Sequence, residues 1–117
     1  MQTRTLYRPV GKHEHALIAA SGFRRFPPRL PEQPIFYPVL NEEYAHQIAR
    51  DWNTREPESI GYVTAFEVRA EIADQYAPQQ VGGKMHTELW IPAEDLEAFN
   101  EAIVGQIRIL AEYHHTP

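Results

Sequence analysis

The sequence predicts an α+β fold built on a split or mixed, largely antiparallel sheet. Apolar alternation marks about six short strands, which come singly and not in the strand–helix–strand rhythm of a parallel sheet. About three helical stretches fall between them at irregular intervals. Ten prolines stand in a chain of 117 residues. Several flank apolar positions, so the strands must be short, lie at edges, or lead into ordered extended loops. That length suits one core, and residues 1–117 are read as a single domain.

The first strand spans residues 5–10, with Leu6, Arg8 and Val10 on one face and Tyr7 on the other. Pro9 cannot donate to a ladder, which ends this strand or places it at an edge. Arg8 is an arginine on an otherwise apolar face. It either snorkels from a strand end or offers its fork to an anion. Gly11 breaks the strand, and residues 12–20 read as a helix with Leu17, Ile18 and Ala20 on its apolar side and Ser21-Gly22 as its stop. His13 and His15 are two apart on that helix, do not share a face, and read as surface residues. Residues 23–34 hold four prolines, three arginines (Arg24, Arg25 and Arg29) and two phenylalanines. Such a segment is costly to order unless it packs or binds, and it is expected to line one wall of a cleft.

A second strand over residues 35–40 is interrupted by Pro38. Asn41 then caps a helix expected from Glu42 to about Trp52, with Glu42 and Glu43 in its first turn and Tyr44, Ala45, Ile48, Ala49 and Trp52 on its core face. A polar loop over 53–59 leads into the best strand of the chain, residues 60–69, with Tyr62, Thr64, Phe66 and Val68 on one face. Residues 71–76 suit a short helical turn ended by Pro78. Beyond it, residues 81–92 read as a glycine turn, a short strand, and a proline opening a helix whose stripe is Leu96, Phe99 and Ile103. Thr87, Leu89 and Ile91 share the core face of that strand, which leaves His86, Glu88 and Trp90 opposite. Glu88 therefore stands beside an indole, next to a turn where backbone can approach closely. Residues 106–111 close the chain as a final strand.

Composition narrows the function. The absence of cysteine removes disulfides, thiolate nucleophiles and thiolate zinc sites, and fits a reducing, cytoplasmic setting. A formal net charge of −5 at pH 7 lacks the basic footprint of a duplex binder, so no nucleic-acid partner is expected. No run approaches the roughly 18 apolar residues of a membrane span, and no apolar h-region follows the N-terminus, so neither a membrane anchor nor a signal peptide is expected. His86 and Glu88 share a strand face at a spacing that can bind metal, but no third ligand is evident and no metal is assigned.

Three segments carry a resemblance. Leu6-Tyr7-Arg8 is followed by a short helix ending at Gly22. Phe36-Tyr37 leads through Asn41 into an alanine-containing helix. Glu88-Leu89-Trp90-Ile91-Pro92 comes after Gly82-Gly83. In this order the segments resemble the ADP-ribosyltransferase family, in particular its small bacterial toxin-type domains, over roughly residues 6–109. Chains of this pattern are also linked by name to crystallin-type ADP-ribosylglycohydrolases. Those are larger all-helical enzymes that need clustered aspartates, a cluster this sequence lacks.

The resemblance implies NAD as substrate. Arg8 would hold its phosphates and ribose, Tyr37 would line the nicotinamide pocket, and Glu88 would be the acidic residue at the nicotinamide ribose. Tyr7, Phe36 and Trp90 would be aromatic neighbours of the cofactor. The chemistry suits those types: breaking the glycosidic bond builds positive charge on the ribose, which a fixed carboxylate stabilises. The chain departs from arginine-modifying members, which carry Glu or Gln where His86 stands, so the acceptor, a protein among the candidates, is left open. The alternative is a non-catalytic nucleotide-binding or interaction module of the same architecture, its arginine-rich loop presented to an acidic partner.

Overall fold

A computed structural model describes residues 1–55 and 58–115. The chain is α+β, and every strand pairing among the described residues is antiparallel. Its spine is a three-stranded sheet in the order β1 (Thr3–Gly11), β3 (Ile60–Arg69), β7 (Ile103–His114). The central strand, β3, has the bounds that alternation predicts. Val63, Thr64, Phe66 and Val68 are wholly buried because both faces of the sheet are covered. On one face, Leu6, Val10, Phe66 and Val68 pack with Ile18, Phe26, Phe36, Leu89, Ile91 and Phe99. On the other, Val39, Ala45, Ala49 and Val63 form a smaller cluster, joined by Tyr7, Tyr44 and Tyr113.

Helix α1 (Lys12–Ala20) follows β1 directly and ends where Gly22 turns left-handed at φ +76°. Its buried residue is Ile18; Leu17 is 42% exposed and Ala20 lies in solvent, so the expected apolar side is narrower than the spacing suggests. His15 is no free surface residue. Its ring stacks on Tyr62 with centroids 3.9 Å apart, because α1 lies across the sheet at that point. The proline-rich segment is pinned by the buried Asn100, whose Oδ1 accepts from Phe26 N–H at 2.9 Å and whose Nδ2 donates to the Phe26 carbonyl at 3.0 Å. The arginines of this loop are not displayed together: Arg25 pairs with Glu97 at 2.6 Å, and Arg29 is half-buried.

The second strand is shorter than residues 35–40 suggest. Only β2 (Ile35–Phe36) pairs, with β6 (Ile91–Pro92), because Pro38 interrupts it. Val39 resumes pairing as a single bridge to Tyr7 on one side and to Glu88 on the other. Asn41 caps α2 (Glu42–Ile48), its Oδ1 accepting from Tyr44 N–H at 3.0 Å. The helix then widens into a π turn, Ala49–Asn53. The extra residue rotates the end of the helix, so Trp52, expected in the core, is 60% exposed and stacks under the Arg55 guanidinium. Gly61 lies against this turn. A Cβ there would overlap the Ala49 carbonyl, so the π turn and β3 can touch only at glycine. Residues 56 and 57, in the middle of the expected polar loop, lie outside the described residues.

Among the described residues there are four α-helices, where about three were expected. The short turn before Pro78 is α3 (Ala70–Ala73), and α4 (Leu96–Glu101) completes the set. Pro92 ends β6, and a 3-10 turn, Ala93–Asp95, lies between it and α4. Ile103, expected on the helix, already begins β7. Gly105, at φ +77°, sits where the β3–β7 register slips, and does not end the helix.

Tyr76 ties the segment after α3 to the 3-10 turn, its hydroxyl donating to Asp95 Oδ2 at 3.0 Å. Burial, then this hydrogen bond and the charge of Asp95, raise its pKa from near 10 to about 12. The neutral phenol is favoured in the fold, so its contribution to stability is full below pH 10 and is lost as pH rises through about 12. In an absorbance titration of the folded protein, one tyrosine should ionise near pH 12, and Tyr76→Phe should remove that step.

Candidate functional site

Three strand segments meet beside β1. Tyr7 N–H donates to the Val39 carbonyl at 2.9 Å, and Val39 N–H donates to the Tyr7 carbonyl at 2.7 Å. Leu89 N–H donates to the Pro38 carbonyl at 2.9 Å, and Leu40 N–H to that of Thr87 at 3.1 Å. Residues 38–40 thus lie between β1 and β5 (Thr87–Glu88), and β5 in turn pairs with β4 (Gln79–Gln80). This arrangement brings Arg8, Tyr37 and Glu88 to one hollow of about 260 Å³, completed by Pro9, Val39 and Ile48.

Each side chain is held differently. Glu88 is half-buried. Its Oε1 accepts from Trp90 Nε1 at 2.8 Å, and its Oε2 from the Tyr44 hydroxyl at 3.3 Å. Burial, then the adjacent Glu88 charge, raises the pKa of Tyr44, so the phenol stays a donor to the carboxylate. Tyr37 is 40% exposed, with Trp90 edge-on at 6.5 Å between centroids. Arg8 is 9% exposed and does not snorkel. Its Nε and Nη2 donate to the two oxygens of Glu14 at 2.6 and 2.8 Å, Nη1 reaches the Tyr37 carbonyl at 3.4 Å, and the guanidinium lies 4.6 Å over the Phe36 ring. Both edges of its fork are therefore engaged within the chain.

Of the six residues the sequence singles out, Arg8, Tyr37 and Glu88 line the hollow and Trp90 steadies Glu88 at its margin. Phe36 does not face it. It is wholly buried, packed against Phe26 and Phe99, and serves as the floor beneath Arg8. Tyr7 points to the opposite face of β1, with the Val39 cluster, because neighbours along a strand alternate. Sequence reasoning missed Glu14 and Tyr44. The signal for Glu14 was faint: an acidic residue one turn into a helix that starts directly after the strand carrying Arg8.

A wider trough of about 710 Å³ is lined by residues that include Glu42, His46, Arg50, His86 and Tyr113. Its histidines are occupied. His46 Nδ1 lies 2.7 Å from the Tyr113 hydroxyl and Nε2 lies 3.0 Å from Glu42. His86 Nδ1 accepts from Gly83 N–H at 3.0 Å, which leaves Nε2–H to face Gln47 Oε1 at 3.3 Å. Gly82 is required here, since a Cβ would overlap the His86 ring. Among the described residues, no three His, Asp or Glu side chains converge as a metal site requires, so His86 and Glu88 gain no third ligand. No helix among them is long and apolar enough to cross a membrane. Comparisons of the chain with protein-family models, curated proteins and solved structures give no match.

Proposed function

We propose that the chain is a cytoplasmic, NAD-dependent ADP-ribosyltransferase whose reaction takes place at Glu88. The observation that supports this most is the meeting of Arg8, Tyr37 and Glu88 at one hollow although they lie far apart in sequence. In this reading, nicotinamide stacks on the exposed ring of Tyr37. The Glu88 carboxylate, held by Tyr44 and Trp90, faces the ribose carbon as the glycosidic bond breaks and offsets the charge that develops there. Arg8 orients the carbonyl of Tyr37 and fixes the wall of the hollow from behind its ion pair with Glu14.

Incubating the protein with NAD and measuring free nicotinamide tests this. Glu88→Gln keeps the shape but removes the charge and one of the two acceptor oxygens, and should slow release by about a hundredfold. Unchanged release in that variant would remove Glu88 from the chemistry. The engagement of Arg8 by Glu14 on one edge and by the Tyr37 carbonyl at Nη1 favours a second reading, a non-catalytic nucleotide-binding module. Ligand-induced stabilisation by NAD without turnover would select it.

A further inference from the structure

The loop over residues 23–34 walls a second hollow, of about 390 Å³, on the Glu14 side of the Arg8–Glu14 pair. That volume is within the range of small-molecule sites. Its lining includes Glu14, Leu17, Pro27, Arg29, Asn53 and Glu58. Two polar atoms at its wall, Arg29 Nε and Asn53 Oδ1, are buried and have no hydrogen-bond partner among the described residues. Among the described residues Arg29 makes no ion pair, although Glu14, whose two oxygens accept from Arg8, lies near enough to act on its charge. Burial first, and the charge of Arg8 second, lower the pKa of Arg29, and the smaller opposing pull of Glu14 does not reverse them.

The rest of the hollow is built to hold polar groups. The π turn carries Asn53 to its wall. Gly11 is bare where a Cβ would overlap the Glu58 carboxylate, and that carboxylate is steadied by His13 N–H at 2.9 Å. Among the described residues, a guanidinium with an unbonded Nε, a fixed carboxylate, an amide oxygen lacking a donor and an apolar wall of proline and leucine make an unusual set. A lone anion would meet Glu58 and leave Asn53 unmet. A ligand with an oxyanion, adjacent hydroxyls and a flat apolar part satisfies every member.

We infer that this hollow seats a nucleoside diphosphate, with Arg29 on its phosphates, Glu58 and Asn53 accepting from ribose hydroxyls, and the base against Leu17 and Pro27. The inference deepens the NAD reading and rests on it: the adenosine diphosphate half would lie here, and the nicotinamide half beyond the Arg8–Glu14 pair. Arg29, and not Arg8, is then the phosphate ligand.

Calorimetric titration of the full chain with ADP, and separately with inorganic pyrophosphate, tests it. ADP should bind. Arg29→Gln should weaken both ligands by about tenfold or more, the worth of a charge-assisted hydrogen bond, and Arg29→Lys should recover part of that loss. Glu58→Gln should weaken ADP and should not weaken pyrophosphate, which loses a like charge beside it. Melting curves check that each variant folds. If Arg29→Gln does not fold, Leu30→Glu, at an exposed position of the same hollow, places a carboxylate at its mouth and should weaken ADP instead. Absence of ADP binding, or ADP binding indifferent to these changes, overturns the inference. NAD cleavage unaffected by Arg29→Gln would overturn it and leave the transferase reading standing. Arg29-dependent ADP binding without any NAD cleavage would do the reverse.

Discussion

Glu14→Ala should unfold the protein at markedly lower temperature, with a loss of about 3–5 kcal/mol. The reason is the state in which it leaves Arg8. The side chains of the pair are 11% and 19% exposed, so water cannot replace the carboxylate freely. The guanidinium would keep its charge, since arginine does not deprotonate, and would remain over the Phe36 ring without its two short hydrogen bonds. Arg8→Met combined with Glu14→Leu should recover most of that stability, because a buried pair replaced as a unit by apolar groups is often neutral. The double variant also separates roles. If Arg8 served only the fold, NAD-dependent nicotinamide release would survive in it. If Arg8 orders the wall of the Glu88 hollow, stability returns and release does not. Chemical denaturation of the three variants beside a nicotinamide assay reads both.

Asn100→Ala is the second large effect. Asn100 is 5% exposed and is the partner of both backbone groups of Phe26. Truncation leaves an N–H and a carbonyl buried and unmatched, at about 1–3 kcal/mol each. A total of about 3–4 kcal/mol is expected from the two groups, measured as a shift in the denaturation midpoint with an unchanged slope. The local consequence matters more for function. Phe26 anchors the proline-rich loop in the core, and the residues just after it wall the Arg29 hollow. ADP binding should therefore fall more in Asn100→Ala than in a core variant of equal cost on the opposite face, such as Val63→Ala.

How much of this was legible differs from element to element. The central strand was read to the residue because both periodicity and β-branched composition speak for it. The placement of Glu88 was legible for the same reason: Leu89 and Ile91 had to be buried, so Glu88 and Trp90 had to face away from the core. The joining of Arg8, Tyr37 and Glu88 was expected from resemblance alone, since nothing local states that residues 38–40 fit between two strands. The partner of Arg8 was not legible, because contact across a strand-to-helix corner obeys no fixed spacing. The π turn was hidden as well. Ala49 and Trp52 satisfy an ideal helix, and only the close approach at Gly61, a tertiary fact, shows that the ideal register is abandoned. Arg29 read as one of three similar loop arginines, and burial alone singles it out.

Val39 carries a metrical consequence. One residue bridges Tyr7 and Glu88, so the arginine strand and the glutamate strand are held two lateral steps apart. Two such steps come to about 10 Å. The sheet therefore works as a caliper. Any molecule that reaches from the Glu88 carboxylate to the wall behind which Arg8 is paired must be about as long as a nucleoside, and a free phosphate would rattle between them.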